Sequence, residues 1–399
     1  MSRTKVKELA EQIRGVSYKP EDLHDSLNED SVILLRANNI SDGRINFDDV
    51  VYVDKRKVSK DQYLKMGDIL ICASSGSKAL VGKAASVDFS KLCTFGAFCK
   101  VIRPKAGFEG YLGAFFQSAV YRKRISEVAI GANINNVRNE HVDDIELPLY
   151  SEKVNEDIVK RISVLQGIIT KRKIELNGLN TLVKSRFVEM FGEPIANPKG
   201  WLVKPLKELS TLITNGNTPK GGSENYVESG ITFLRSQNVW RNRIELDDVA
   251  YIDEATHKSM MKSSLHHKDI LITKTGRINT ENSSLGRAAL FLGDDDSANI
   301  NGHIYLIRLT DEVIPEYVVT ILTGEAYRKY IRKVCVGGID KRQINVDQVE
   351  DFPIIMPPLD QQKIFAEFRK QIEKLKVAVQ KSLDETQLLF DSLMQQYFG

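Results

Sequence analysis

Two stretches decide the fold: RINFDDVVYVD, from Arg44 to Asp54, and RIELDDVAYID, from Arg243 to Asp253. They lie 199 residues apart and keep the same alternation of apolar and polar residues around a shared Asp-Asp-Val. Moving outward, further matches stay collinear. Lys7-Glu8-Leu9 corresponds to Lys207-Glu208-Leu209, and Leu35-Arg36 with Asn39-Ile40 to Leu234-Arg235 with Asn238-Val239. Asp68-Ile69-Leu70-Ile71 corresponds to Asp269-Ile270-Leu271-Ile272, and Gly82-Lys83-Ala84-Ala85 to Gly286-Arg287-Ala288-Ala289. Tyr121-Arg122-Lys123 corresponds to Tyr327-Arg328-Lys329, and Pro148-Leu149 to Pro358-Leu359, with the offset drifting to 210 as small loop insertions would make it. Self-similarity of this kind sets the architecture before any local assignment does. The chain is two copies of one unit.

Each copy has the same internal order. Short β-branched runs come first, Ser31–Leu35, Val50–Val53 and Ile69–Ile71 in one copy, Ile231–Leu234, Val249–Ile252 and Ile270–Thr273 in the other, broken by Gly, Asn and Asp. A helix is expected over Tyr111–Ile125 and again over Tyr317–Ile331. Prolines then mark a joint (Pro148; Pro353, Pro357 and Pro358), and a long proline-free helix follows each joint. The first, from about Ser151 to Phe191, carries apolar residues at alternating steps of four and three: Ile158, Ile162, Leu165, Ile169, Leu176, Leu179, Val183 and Met190. Gly167, Asn177 and Gly178 are weak helix formers and allow local bending there. The second, from about Asp360 to Tyr397, repeats the pattern with Phe368, Ile372, Leu375, Val379, Leu389 and Leu393. A helix of about 40 residues is about 60 Å long. That exceeds a small domain, and the period near 3.5 favours two helices paired with each other over two separate core helices. The expected fold is therefore mixed α/β (α+β) in two tandem globular copies: 1–149, a helical spacer over 150–192, a second globular part over 193–357 and a last spacer over 358–399.

Composition narrows the function. The 399 residues include 42% apolar and 27% charged, as in an ordinary soluble protein with ample core material. With 56 basic against 53 acidic residues the net charge is only +3, so a polycationic tail is excluded while a local basic face is not. No apolar run reaches the ~18 residues of a membrane span, and the first residues, MSRTKVKELAEQIRG, are polar with no signal-peptide core. Four cysteines (Cys72, Cys93, Cys99 and Cys335) are too few for a disulfide framework, which points to a reducing cytoplasm.

Catalytic signatures fail on spacing. The run from Gly76 to Ala84 has five residues between its glycines and an alanine after Lys83, where a phosphate-binding loop needs four and then Ser or Thr. Turn glycines beside a strand fit better. Cys93 and Cys99 have no partner pair, and His266-His267 lacks an acidic or cysteine partner at ligand spacing, so no metal site is expected. There is no G-x-S-x-G, no H-E-x-x-H, no amino-methyltransferase tetrapeptide and no glycine-rich S-adenosylmethionine loop. The expectation is a binder with no catalytic residues. Basic and amide residues recur in both copies: Arg36, Asn38, Asn39, Arg44 and Lys78 in the first; Arg235, Gln237, Asn238, Arg241, Arg243, Lys274 and Arg277 in the second. Basic stripes, Tyr121-Arg122-Lys123-Arg124 and Tyr327 to Lys333, lie on the expected short helices. Lysine and arginine neutralise phosphates, while Arg, Asn and Gln read base edges in the major groove. Any one cluster alone is better read as a solvated face; its recurrence in two linked units favours DNA.

This organisation resembles the specificity subunit of type I restriction–modification systems across essentially the whole chain. The resemblance rests on LLRANNI (Leu34–Ile40) and FLRSQNV (Phe233–Val239), GDILICASSG (Gly67–Gly76) and KDILITKTG (Lys268–Gly276), and MPPLDQQKIFAEF (Met356–Phe368) leading the last helix. The first joint, LPLYSEKVNEDIV (Leu147–Val159), departs further from the family pattern. The resemblance implies two target-recognition domains, each reading half of an interrupted double-stranded DNA site. It implies two long helices packed as an antiparallel coiled coil, a ruler that fixes the separation of the halves. The same helices would dock two methylation subunits that carry S-adenosylmethionine and methylate adenine, and restriction subunits using ATP and Mg would join for cleavage. This chain itself would bind no cofactor. The DNA-facing candidates are the twelve basic and amide residues above; those for helix pairing and docking are Ile158, Ile162, Leu165, Ile169, Leu176, Leu179, Phe368, Ile372, Leu375, Val379 and Leu389. Arg36 and Arg235 recur at matching positions, as structural or phosphate contacts would, whereas base readers should differ between copies. Two other readings stay open: a specificity subunit serving a type II-like methyltransferase–nuclease, and a protein-interaction scaffold with no DNA.

Overall fold

The computed structural model describes residues 2–77, 80–128, 135–280 and 282–399. Contacts divide the chain into two compact units, one of residues 1–174 with 379–399 and one of residues 175–378. Each unit therefore takes half of each long helix.

In the first unit, Ile69–Cys72 is an entirely buried strand, and an uninterrupted apolar run is what a strand covered on both faces requires. It lies between Ala84–Ser86 and Cys99–Pro104, with Ala10–Arg14 beyond, all antiparallel. A second sheet pairs Ser31–Leu35 antiparallel with Val51–Asp54 and parallel with Cys93–Phe95. Between the two sheets lies a core of Ile33, Leu35, Leu70, Cys72, Phe95 and Val101. The second unit repeats this plan. Ser210–Asn215, Ile304–Leu309, Ile270–Thr273 and Ala288–Leu290 form the antiparallel sheet. Ile231–Leu234 pairs antiparallel with Ala250–Ile252 and parallel with Ala298–Ile300.

The shared residues of the two copies are those that both cores need. Asp68 and Asp269, each 1% exposed, receive two-pronged hydrogen bonds from Arg103 and Arg308 at 2.7–2.9 Å. A buried carboxylate needs such a fork to offset its lost hydration. Gly82 and Gly286 sit at φ +76° and +68°, and a Cβ there would collide with Ile125 and Ile331. These are turn glycines beside strands, as the spacing suggested. The single helices expected over 111–125 and 317–331 are each two: Glu109–Phe116 and Ala119–Val128, Pro315–Thr323 and Glu325–Val334. The breaks have local causes. Ser118 turns its hydroxyl onto the Tyr121 N–H, and Gly324 adopts extended backbone.

The long helices are unbroken over Glu152–Phe191 and Leu359–Phe398, so Gly167, Asn177 and Gly178 do not interrupt the first. They pair antiparallel, the start of one meeting the end of the other within each unit. In the first unit the Tyr150 hydroxyl donates to the Tyr397 carbonyl, and Phe398 packs its ring 5.3 Å from Tyr111 and 5.6 Å from Phe115. In the second, Phe187 and Phe191 at the end of the first helix pack on Phe365 near the start of the second, around Tyr317. Among the described residues no helix is long and apolar enough to cross a membrane.

Candidate nucleic-acid interface

Six of the DNA-facing candidates build a clasp that occurs once per unit. In the first, Asn39 is fully buried. Its Oδ1 accepts the Arg36 N–H at 2.8 Å, and its Nδ2 donates to the carbonyls of Asn46 and Asp49. Arg36 and Asn38 both donate to the Asp49 carboxylate at 2.8 Å. In the second unit Asn238 accepts from the Arg235 N–H and donates to the carbonyls of Glu245 and Asp248. Arg235 and Gln237 donate to the Asp248 carboxylate at 3.0 and 2.6 Å. Asn and Asp stitch turns in this way because their short side chains imitate backbone groups. The Arg and Asn that are identical in both copies hold the hairpin that follows each strand, which is a structural role.

The remaining candidates divide. Arg44 reaches the hydroxyl of Thr170 on the first long helix at 2.7 Å. Arg243 pairs with Glu245 at 2.6 Å and lies over the ring of Trp240. Arg241, exposed at the hairpin turn, has no counter-ion among the described residues. The buried Arg287 guanidinium stacks 3.8 Å from the centre of the Trp240 ring; burial, and then Arg241, hold its pKa below the ordinary value. Lys274 lies over Tyr305 at 5.6 Å. Lys78 falls outside the described residues.

Arg277 stands on a small separate sheet made of Thr275–Arg277, Lys341–Gln343 and Val336–Gly337. Register places Arg277 opposite Lys341 and Thr275 opposite Gln343. Cross-strand partners share a face, so one face presents guanidinium, ammonium, hydroxyl and amide together. Arg277 is 69% exposed, braced by Asp340 at 3.3 Å. Lys341 is exposed and has no counter-ion among the described residues. The matching place in the first unit is a two-stranded pairing of Ser74–Ser75 with Asn135–Asn136, where the Ser74 hydroxyl donates to Asn136 at 2.9 Å. One antiparallel pairing recurs in both units, the second unit adds a third strand to it, and the side chains differ. Lys341 and Gln343 were missed in the sequence. What marks them in the sequence is the polar run Lys341-Arg342-Gln343 shortly after the glycine pair Gly337-Gly338.

On the first long helix the expected pairing residues lie inward: Ile158, Ile162 and Ile169 are buried, and Leu165, Leu176 and Leu179 half-buried. On the second the inward row is Gln362, Phe365, Arg369, Ile372, Val379, Leu383, Phe390 and Met394. Ile372 and Val379 belong to it and Phe368 flanks it, but Leu375 and Leu389 are 53% and 51% exposed and lie outside it. The reading of Leu375 and Leu389 as residues that pair the two helices is corrected accordingly; their exposure leaves their expected part in docking another subunit untouched. The physical reason is that the buried row takes polar Gln362 and Arg369 early and the bulkier Phe390 late, so a leucine count selects the wrong face.

Comparison with known proteins places this geometry. Residues 198–386 match the model of the type I restriction modification DNA specificity domain. Over 377 residues the chain is 29% identical to the type I restriction enzyme StySPI specificity subunit of Salmonella potsdam, covering 91% of this chain and 79% of the relative. Over 380 residues it is 28% identical to the EcoKI specificity subunit of Escherichia coli K12, with the same coverage. Among solved structures, the type I restriction–modification S subunit from M. genitalium superposes with a TM-score of 0.56 at 13% identity, covering 100% of this chain and 96% of that one. A second, from work on complex assembly and conformational transition of the type I R-M system, gives 0.53 at 15% identity, covering 99% and 97%. These two likenesses show the fold.

Proposed function

We propose that the chain is a specificity subunit of the type I restriction–modification kind, like the relatives it resembles, and that it selects the DNA sequence on which a methylation and restriction complex acts. Each unit reads one half of a two-part, interrupted site, and the paired helices set the spacing between the halves. The single observation that carries this reading is the small sheet present in both units. The same antiparallel pairing recurs, yet it presents Thr275, Arg277, Lys341 and Gln343 on one face in one unit and Ser74 and Asn136 in the other. Two readers of different half-sites need this combination: a constant support and variable side chains.

Chemistry falls to other subunits in this reading. Two methylation subunits, carrying S-adenosylmethionine, dock on the helices and methylate adenine; restriction subunits supply ATP- and Mg-dependent cleavage. This chain contributes recognition and binds no cofactor of its own. Its setting is the cytoplasm, where the DNA is.

A salt-titrated binding assay on duplex DNA tests the recognition claim. Arg277→Ala or Lys341→Ala should weaken binding, and loss of one phosphate contact should reduce the slope of log affinity against log salt by about 1. A base-reading role would instead relax the sequence preference at one position of one half-site, at about 1–3 kcal/mol. If both variants keep affinity, slope and preference, the small sheet is not the DNA-facing surface.

A further inference from the structure

In each unit three elements meet at one point: the turn of the β-hairpin that follows the clasp, the end of a short helix, and one flank of a long helix. In the first unit the hairpin turn is Asp42-Gly43, and Gly43, at φ +72°, packs so closely on Gln117 that a Cβ would lie 3.1 Å from its Oε1. The same Gln117 Oε1 accepts from Gln166 of the long helix at 2.6 Å, and Arg44, one residue on, donates to Thr170 at 2.7 Å. In the second unit the turn residue is Asn242, at φ +60°. Its Oδ1 accepts from Thr323 at the end of the short helix (3.2 Å) and from Arg369 of the second long helix (3.1 Å). The junction is the same and the residues are not. In one unit the hairpin arginine reaches to the helix; in the other the helix arginine reaches to the hairpin.

Arg369 is the more telling member. It is 8% exposed, in the turn of its helix where the first helix has the buried Ile162. Its guanidinium also donates to the Glu316 carbonyl and the Thr320 hydroxyl at 2.7 and 2.9 Å, so three uncharged oxygens hold it, with no carboxylate among the described residues in salt-bridge contact. Burying a charge in an apolar row costs more than an isoleucine there would, so stability does not explain its presence. What a guanidinium supplies and a methyl group does not is direction, because its donors form a fixed fork. The aromatic packing of Phe187, Phe191 and Phe365 holds the second unit to its helices but leaves rotation less determined, since apolar contact is non-directional.

We propose that this three-way junction locks the angle at which each recognition unit is held on its long helix, and that it thereby sets how strictly the complex selects the spacer between the two half-sites. Thr170, Gln166 and Arg369 are positioning residues; they act through the hairpin and not by touching DNA. The proposal rests on the reading of the chain as a two-part specificity subunit.

The test uses the full chain assembled with its methylation subunits on a library of sites whose half-sites are separated by spacers of graded length. The readout is the methylated fraction at each spacer. Wild type should modify one spacer length. Thr170→Val, which exchanges a hydroxyl for a methyl group at a half-buried site, and Arg369→Gln should raise modification at spacers one base pair longer and shorter by up to about ten-fold relative to the preferred one, the effect of losing an orienting hydrogen bond. Sequence preference within each half-site should stay unchanged. Thr170→Ser, which keeps the hydroxyl, should restore wild-type selectivity, a rescue that a general loss of stability would not show. Wild-type spacer selectivity in both Thr170→Val and Arg369→Gln would overturn the junction proposal while leaving the two-part reading intact. Absence of any two-part preference in wild type would overturn that reading and the junction with it.

Discussion

Asn39 and Asn238 show how one residue type can look like a base reader and serve as a brace. Each is buried, and each satisfies one backbone N–H and two backbone carbonyls of its own hairpin. Their removal leaves buried polar groups unpaired, at about 1–3 kcal/mol per group. Asn39→Ala and Asn238→Ala should therefore each lower unfolding stability by at least that much in chemical denaturation, with the DNA target unchanged in what remains folded. Asp49 and Asp248 are mostly exposed, and an exposed ion pair contributes only about 0–1 kcal/mol. Alanine at either aspartate should be far milder, and equal losses for Asn39→Ala and Asp49→Ala would contradict this account of the clasp. Duplication in the sequence was informative here: residues kept in both copies are those the fold needs. It was silent on Lys341 and Gln343, because a side chain that differs between copies leaves no repeat to find.

Helix pairing was legible to the extent that the buried row is apolar. In the first long helix it is, and the residues at steps of four and three lie on the inward side. In the second, Gln362 and Arg369 occupy buried turns, the Gln362 side chain accepting the Ile314 N–H and donating to the Pro357 carbonyl. A hydrophobic period cannot register a row whose polar members are satisfied by neighbouring elements. The split of each short helix falls on Gln117-Ser118 and Thr323-Gly324-Glu325, a polar interruption that a search for apolar period passes over. The consequence is measurable. Ile162→Ala should cost about 2–5 kcal/mol as a buried large-to-small change, whereas Leu375→Ala, at an exposed position, should stay within about 0.5 kcal/mol for the chain alone. Equal losses in thermal or denaturant unfolding would mean that the pairing row has been assigned to the wrong face.

For the molecule as a whole, the four cysteines give a handle on each unit separately. All four are buried, three in the first unit and Cys335 in the second. Burial pushes the Cys93 thiol up to about 11 and raises those of Cys72 and Cys99 as well. Thiol reagents at pH 8 should leave the native chain unlabelled, and labelling of Cys335 against the other three should report which unit opens first under denaturant; fast labelling of any of them in the native state would contradict the packing of that core. The two-copy plan, the proline joints and the long helices were all readable because they repeat. The antiparallel pairing direction came only from the family resemblance, and the junctions were not readable, because both depend on contacts among residues far apart in sequence. Above them stands the central claim, that the two units read the two halves of one split site. The most direct test maps methyladenine across host DNA by single-molecule sequencing, with and without this gene, in cells that express the methylation subunits. The account predicts that one interrupted, two-part motif disappears on deletion. An unchanged set of methylated motifs, or the loss of a continuous one, would contradict it.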